Sequence, residues 1–377
     1  MKVTSEQELA EAIRGANGPL RVQGGGTRDV GRPVAGEVLE VAISGVALYE
    51  PGALTLVVGA GTPLAEIEAL LATEGQRLAF EPLDFRAVLG TSGVPTIGGA
   101  VAANASGPRR IQAGAVRDHA LGMRFVDGAG RVIRNGGRVM KNVTGYDLVK
   151  LMAGSWGTLG VISEVSLKVQ PAPEAVITLS GRAGDAAQAV ALMSAALGSP
   201  FDVTGAAARK DGAVRIRLEG REASVRYRAQ ALIDGPLAGF EAVLSNPGAP
   251  DAWAGIAALA PFAATRGDLW RISLRPGDAP GLLAGIGALG SDWVLDWGGG
   301  LIWLATAEGV DTGEAARAIR AALAPLGGHA TLIRAGARAR AQVEVFQPQP
   351  APLAAISPGL KQKFDPRGIL NPGLMGF

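Results

Sequence analysis

The stretch LRVQGGGTRDVG, Leu20 to Gly31, sets three consecutive glycines directly behind a short apolar run. Glycine loses more backbone freedom on folding than any other residue, so a chain that spends three in a row gains something from missing side chains. A plain surface turn would explain them, and with 55 glycines among 377 residues turns are common here. The company of this stretch argues for more. GTSGVPTIGGAVAANASG (Gly90 to Gly107) carries almost no charge yet spaces Val94, Ile97 and Val101 more regularly than a flexible linker would. AGSWGTLGVISE (Ala153 to Glu164) repeats the chemistry just ahead of a strand-like run. Small residues let main chain approach a flat or extended partner, and their N–H groups can form nests that hold an anion. The three segments therefore read as one cradle. Amides of the first two would wrap a pyrophosphate, and the third would lie along an adjacent part of the same ligand.

A second glycine site competes for that role. VVGAGTPL (Val57 to Leu64) follows a strand pattern and opens a helix, as a dinucleotide-binding turn does. Leu64 stands where the third glycine of G-x-G-x-x-G belongs, and that glycine lets helix and strand pack closely. No βαβ unit with a ribose-binding acid lies at the start of the chain either. Gly59 and Gly61 then simply turn the backbone.

Composition bounds the rest. The length points to two domains or one with a large insertion, and 48% apolar residues supply a sizeable core. A formal charge of +2 without a block of Lys or Arg argues against a nucleic-acid partner. Zero cysteines remove disulfides, thiolate nucleophiles and iron–sulfur ligation by this chain and fit a cytoplasmic setting. His119 and His329 are the only histidines and lie far apart in sequence, so no metal site is expected. The N-terminus, MKVTSEQELAEAIRGA, reads as a charged amphipathic helix and not as a signal peptide. No apolar run approaches the ~18 residues of a membrane span.

Strand patterns fall at Glu37–Ile43, Leu54–Gly61, Leu121–Ile133 (with DGAG as hairpin turn) and Val161–Pro171. A helix is expected from Thr62 as N-cap with Pro63 at its first position. Pro171 and Pro173 mark a boundary near Ala172. From there to about Ala335, two rounds of strand, helix and strand suggest a mixed sheet with helices on one face, of ferredoxin-like texture. The expected fold class is α+β. The expected domains are residues 1–172, 173–335 and a C-terminal segment, 336–377, that returns to the first.

VQGGGT, PTIGGAVAANASG, the run from Val116 through Pro171, and LKQKFDPRGILNPG together resemble the FAD-binding oxidoreductases of the vanillyl-alcohol oxidase type. The likeness is strongest to the FAD-binding subunits of glycolate oxidases, over the first 175 residues or so and the last 20; DWGGGLIWLATA and GGHATLIRA are also similar to them. This resemblance implies a two-subdomain FAD-binding module with a smaller antiparallel-sheet cap. It places non-covalent FAD against Val22, Gln23, Gly24, Gly25, Gly26, Thr27 and Arg28. A second strip falls on Thr96, Gly98, Gly99, Ala103, Asn104, Ala105, Ser106 and Gly107. The adenosine side falls on Gly157, Thr158, Leu159, Gly160, Val161 and Ile162. Asn371 and Lys361 match positions near the flavin ring, where a cation or amide tunes its electronics.

Where covalent members of the family carry a histidine, this chain has Thr27 and Arg28, and the histidine cluster of metal-dependent D-lactate dehydrogenases is missing. His119 is the candidate catalytic residue and His329 a weaker one, against the commoner structural placement of a lone histidine. Lys141, Tyr146 and Asp147 could line the flavin, although an Asx-type turn with a buried ring is the plainer reading. Trp293, Trp297 and Trp303 read as core before electron path. Arg334 is either a carboxylate clamp or a solvated strand end. The implied function is the FAD-binding subunit of a multisubunit 2-hydroxy-acid oxidoreductase, cytoplasmic or membrane-associated through its partners. Those partners are a second flavin subunit and an iron–sulfur subunit, since this chain cannot ligate a cluster by thiolates. Alternatives are a non-catalytic flavin-bearing assembly subunit, an independent FAD-linked D-2-hydroxy-acid dehydrogenase and, from another class, an NAD-dependent Rossmann enzyme.

Overall fold

A computed structural model describes residues 1–138, 145–245 and 252–376. The chain divides into two compact units. The first comprises Met1–Ser106, Gly114–Pro171 and Pro348–Phe377, the second Gly107–Ala113 and Ala172–Gln347.

In the first unit the strands are β1 (Lys2–Val3), β2 (Leu20–Gln23), β3 (Glu37–Val41), β4 (Val46–Glu50), β5 (Thr55–Gly59), β6 (Gln76–Arg77), β7 (Ala120–Val126), β8 (Val132–Gly136), β9 (Val161–Lys168) and β10 (Gln170–Pro171). A small parallel sheet runs β1-β3-β2 and a larger antiparallel one β4-β5-β9-β7-β8, while β6 pairs with β10. The five residues of β5 are all buried, as a near-continuous apolar run in a central strand requires. The N-terminal helix is shorter than its sequence suggests. Met1 to Thr4 lead in through β1, and Ser5 caps the helix Glu6–Gly15 by accepting from the Glu8 amide. Its Leu9 and Ile13 enter one core with Leu39, Leu56, Phe80, Phe125 and Leu167. Thr62 is not an N-cap. The next helix spans Leu64–Ala72, and the Thr62 hydroxyl instead accepts from the Gly45 amide and donates to the Gly59 carbonyl. Its side chain is captured by the neighbouring loop before the helix can use it.

The second unit contains β11 (Ala175–Arg182), β12 (Val203–Arg209), β13 (Ala213–Gly220), β14 (Glu241–Ser245), β15 (Leu269–Ser273), β16 (Gly290–Asp296), β17 (Leu301–Thr306) and β18 (His329–Arg334). They form one antiparallel sheet in the order β14-β11-β13-β12-β16-β17-β15-β18. Each half is a β-α-β-β-α-β round, and the halves join where β12 pairs with β16. Helix Ala186–Leu197 packs on β12 and β13, Glu222–Ile233 on β11 and β13, and Thr312–Leu323 on β18.

Candidate functional site

A cleft of about 1000 Å³, counting space open to solvent, lies in the first unit. Its floor begins where β2 ends. Val22, Gln23, Gly24, Gly25, Gly26, Thr27 and Arg28 all line it. The reason for glycine is steric at one position and conformational at another. A Cβ on Gly25 would stand 1.6 Å from the Val94 carbonyl oxygen, and one on Gly93 would stand 1.7 Å from the Gly25 carbonyl oxygen, so two main chains touch here without room for a side chain. Gly26 has φ +68°, in the left-handed region. Among the described residues, the main-chain N–H groups of Gly24, Gly25, Gly26, Thr27 and Arg28 find no acceptor within the chain. A run of amides with nothing to donate to, facing a cleft, is an anion nest.

Arg28 adds a fixed charge to that nest. Its Nη2 donates to the Leu83 carbonyl at 2.9 Å, its guanidinium lies 6.0 Å from the Phe85 ring centroid, and its buried Nε finds no partner among the described residues. Burial pulls it down to about 10, with Asp84 opposing, so it remains a cation at neutral pH. The second segment contributes Thr96, Gly98 and Gly99 to the cleft, and the Thr96 hydroxyl accepts from the Gly99 amide at 3.3 Å. Ala103, Asn104, Ala105 and Ser106 do not line it. Asn104 Oδ1 accepts from the Arg117 amide, Ser106 Oγ from the Val116 amide, and Ala105 is buried. Gly107 is counted with the second unit, where its carbonyl accepts from Trp297 Nε1.

Of the third segment, Gly157, Gly160, Val161 and Ile162 line the cleft, whereas Thr158 and Leu159 turn inward. Asn371 joins the segments. Its Oδ1 accepts from the Val22 amide and its Nδ2 donates to the Trp156 carbonyl, both at 2.8 Å, and its own φ is +42°. Lys361 does not line the cleft; its Nζ donates to the Thr158 and Leu370 carbonyls and pairs with Asp365, a three-way staple of the C-terminal segment. Sequence reasoning missed Ala60, Ala102, Trp156 and Leu374, which also line the cleft. Trp156 stands inside a segment already singled out, so proximity could have found it. Leu374 could not be found that way, because bonds between segments distant in sequence, such as the Arg32 amide to its carbonyl and the Asn371 amide to the Leu20 carbonyl, bring the tail there.

The remaining candidates sit elsewhere. His119 is 2% exposed, tilted against Phe80, with Nδ1 3.3 Å from the Lys168 carbonyl oxygen, and does not line the cleft. Tyr146 corrects its expected burial, being 88% exposed, and Asp147 caps the helix Leu148–Met152. Lys141 lies outside the described residues. Arg334 is a loop clamp, donating to the Gly267 and Phe262 carbonyls and to Thr265. Trp297 and Trp303 are buried, while Trp293 is partly so. Among the described residues no group of three His, Cys, Asp or Glu side chains could hold a metal ion, and no helix is long and apolar enough to cross a membrane.

Residues 1–136 match the FAD binding domain family. The glycolate oxidase subunit GlcE of Escherichia coli is 39% identical over 361 residues, spanning 95% of this chain and 92% of that protein. The chain belongs to the GlcE family of FAD-binding proteins. Its cofactor is FAD, and the cradle of unpartnered amides beside Arg28 suits the diphosphate of that molecule. The glycolate oxidase subunit GlcD of Bacillus subtilis is 43% identical over 86 residues, which cover 23% of this chain and 18% of that one. Among solved structures, an alkyldihydroxyacetonephosphate synthase superposes with a TM-score of 0.72 over 99% of this chain and 76% of its own. At 17% identity, that match speaks for the shared α+β fold alone.

Proposed function

We propose that this GlcE-family chain is the FAD-bearing subunit of an oxidoreductase for glycolate or a related 2-hydroxy acid. The nest of free amides from Gly24 to Arg28 carries the reading, because it answers a diphosphate and little else in a chain of this family. In this reading those amides and the Arg28 guanidinium hold the diphosphate. Gly157, Gly160, Val161 and Ile162 border the adenosine, and Asn371 keeps the two segments at a fixed separation. Bound FAD supplies an acceptor for a hydride from a CH–OH carbon that can pass electrons onward singly. The chain's part is to bind, orient and exclude water. Thr27 and Arg28 offer no attachment point, so the flavin is held without a covalent bond. The partners that would take electrons onward are a second flavin subunit and an iron–sulfur subunit, in a complex we place in the cytoplasm.

A second reading is favoured by one observation. His119, the candidate base, is sealed in the core against Phe80 and away from the cleft, which suits a subunit that relays electrons or supports assembly more than one that deprotonates substrate. One preparation separates the cases. The purified chain should be yellow, and acid precipitation should leave all the flavin in the supernatant. Anaerobic glycolate bleaching the isolated chain supports direct oxidation, and bleaching only when partner subunits are added supports relay. A colourless chain that takes up no FAD would sink both.

A further inference from the structure

Among the described residues that line the cleft of the first unit, Trp156 alone is aromatic. Its backbone lies in the left-handed region at φ +53°, between Gly154 at +92° and Gly157 at +70°. Glycine enters that region freely, whereas a bulky residue there is strained, and such strain persists only where the surroundings over-determine it. Here they do. The Trp156 amide donates to the Ala102 carbonyl at 3.0 Å, and the Trp156 carbonyl accepts from Asn371 Nδ2 at 2.8 Å. Both partners line the same cleft, and Asn371 is itself left-handed at φ +42°. A chain that needed only this turn would carry glycine at 156, as it does at 154 and 157. The side chain is therefore kept against a conformational preference.

Its place along the cofactor follows from its anchor. Asn371 Oδ1 accepts from the Val22 amide at 2.8 Å, and a Cβ on Gly157 would stand 3.5 Å from Val22 Cγ1. Trp156 thus stands beside the end of β2, where the amides of Gly24 to Arg28 begin. In FAD one ribose, folded into a ring, separates the diphosphate from the adenine, whereas an open ribityl chain separates it from the flavin ring. The flat group within short reach of the nest is the adenine. Ala102, Gly157 and Gly160 line the cleft near Trp156 and are small enough to leave room for a ring. Trp156 is only half-buried, and an aromatic side chain left half covered has apolar face to offer a ligand.

We propose that the Trp156 indole stacks on the adenine of bound FAD and so selects for the adenylate half of the cofactor. This rests on the cradle described above, in which the amides from Gly24 to Arg28 hold the diphosphate. Those amides answer charge and cannot tell one diphosphate from another. The residues given above to the adenosine, Gly157, Gly160, Val161 and Ile162, include no aromatic face. Stacking of a base on an aromatic side chain supplies one, and its fixed backbone means that little freedom is lost when the ring arrives. The strain at Trp156 then has a purpose that the turn alone does not give it.

The test uses the full-length chain, freed of its flavin, shown to take FAD back up, and labelled with ¹⁵N-tryptophan. The Trp156 indole N–H is assigned by its loss in Trp156→Phe. ADP, which carries the adenylate half without the flavin, should shift that resonance saturably, and riboflavin should not. Trp156→Ala should bind both FAD and ADP about tenfold more weakly or worse, read by flavin fluorescence and by calorimetry. Trp156→Phe keeps a flat face and should stay within about threefold of the natural chain, whereas Trp156→Leu keeps apolar bulk alone and should behave like Trp156→Ala. Circular dichroism shows which variants fold, and the ADP titration of the natural chain decides should Trp156→Ala not fold. A resonance that ADP leaves unmoved would overturn the proposal, as would Trp156→Leu binding ADP as tightly as Trp156→Phe, or riboflavin shifting the resonance as far as ADP does. A chain that takes up FAD but fails these tests loses this inference alone; one that takes up no FAD loses the cradle with it.

Discussion

The glycine-lined cleft of the first unit is made of main chain, whereas the cationic cluster of the second is made of side chains. In the cleft, donors are amides from Gly24 to Arg28, and the side chains that matter are mostly those left out. In the cluster, the Arg110 and Arg271 guanidiniums lie 4.4 and 5.2 Å from the Trp297 ring centroid, and a positive-φ turn at Trp297 presents that ring. A backbone site depends on close packing between loops, so adding atoms should ruin it. A side-chain site depends on charge, so removing atoms should ruin it while the fold survives.

The largest effect tests the first half of that contrast. Gly25→Ala places a methyl carbon 1.6 Å from the Val94 carbonyl oxygen, which is main chain and cannot swing aside. The loops must part, at a cost of about 3 kcal/mol or more. Purified Gly25→Ala should bind FAD about a hundredfold more weakly or worse, the same loss expressed as an equilibrium constant, with a lower melting temperature. Full flavin occupancy would mean that the glycines are dispensable and that the cleft is not built from main-chain contact.

A smaller effect tests how far the cleft relies on a side chain after all. Asn371→Ala leaves the Val22 amide and the Trp156 carbonyl unpaired in a part-buried setting. Unmade buried hydrogen bonds cost ~1–3 kcal/mol each, so the melting temperature should fall and FAD should dissociate about tenfold faster or more. Asn371→Asp separates the two bonds. The carboxylate can accept from Val22 but cannot donate to Trp156, so stopped-flow release rates should fall between those of the natural chain and Asn371→Ala.

The same contrast governs how much the order of residues reveals by itself. Glycine strings announce themselves, so the segments at Gly24, Thr96 and Gly157 were legible from residue type alone. Which members of each string face the cleft was not. Asn104 and Ser106 belong to a glycine- and alanine-rich run, but local bonds to the Arg117 and Val116 amides draw them away. Thr62 has the identity of a helix cap and loses that role to the Gly45 loop, a competition between partners distant in sequence. The two β-α-β-β-α-β rounds were visible in period and punctuation, whereas their joining through β12 and β16 rests on a pairing of only two register positions. Nothing in the sequence brought Arg110 to Arg271, because 160 residues of chain separate them and only the β-sheet register and the Trp297 turn make them neighbours.

Charge sharpens the comparison further, since titratable groups in the two units face opposite company. His329 meets cations, while Glu6 in the first unit meets donors. Arg124 Nε donates to Glu6 Oε2 at 2.9 Å, and Ser163 Oγ donates to the same oxygen at 2.7 Å. The Arg124 hydrogen bond, helped by Ser163 and by the arginine charge and opposed by partial burial, holds the Glu6 carboxyl below its ordinary 4.5. A carboxyl depressed on folding stabilises the native state fully above its unfolded value, and that contribution disappears as pH falls through the folded one. Because the pair is still partly exposed, at 35% for Arg124 and 23% for Glu6, solvent screening leaves a contribution of about 0.5 kcal/mol. Melting curves of the natural chain and Glu6→Gln should therefore differ by a degree or two at pH 7 and converge as the pH drops below about 4.5. High salt should narrow the gap as well. A gap that stayed constant into acid would mean that Glu6 acts through packing of its stem along the helix, and that the first unit owes nothing here to ionised side chains.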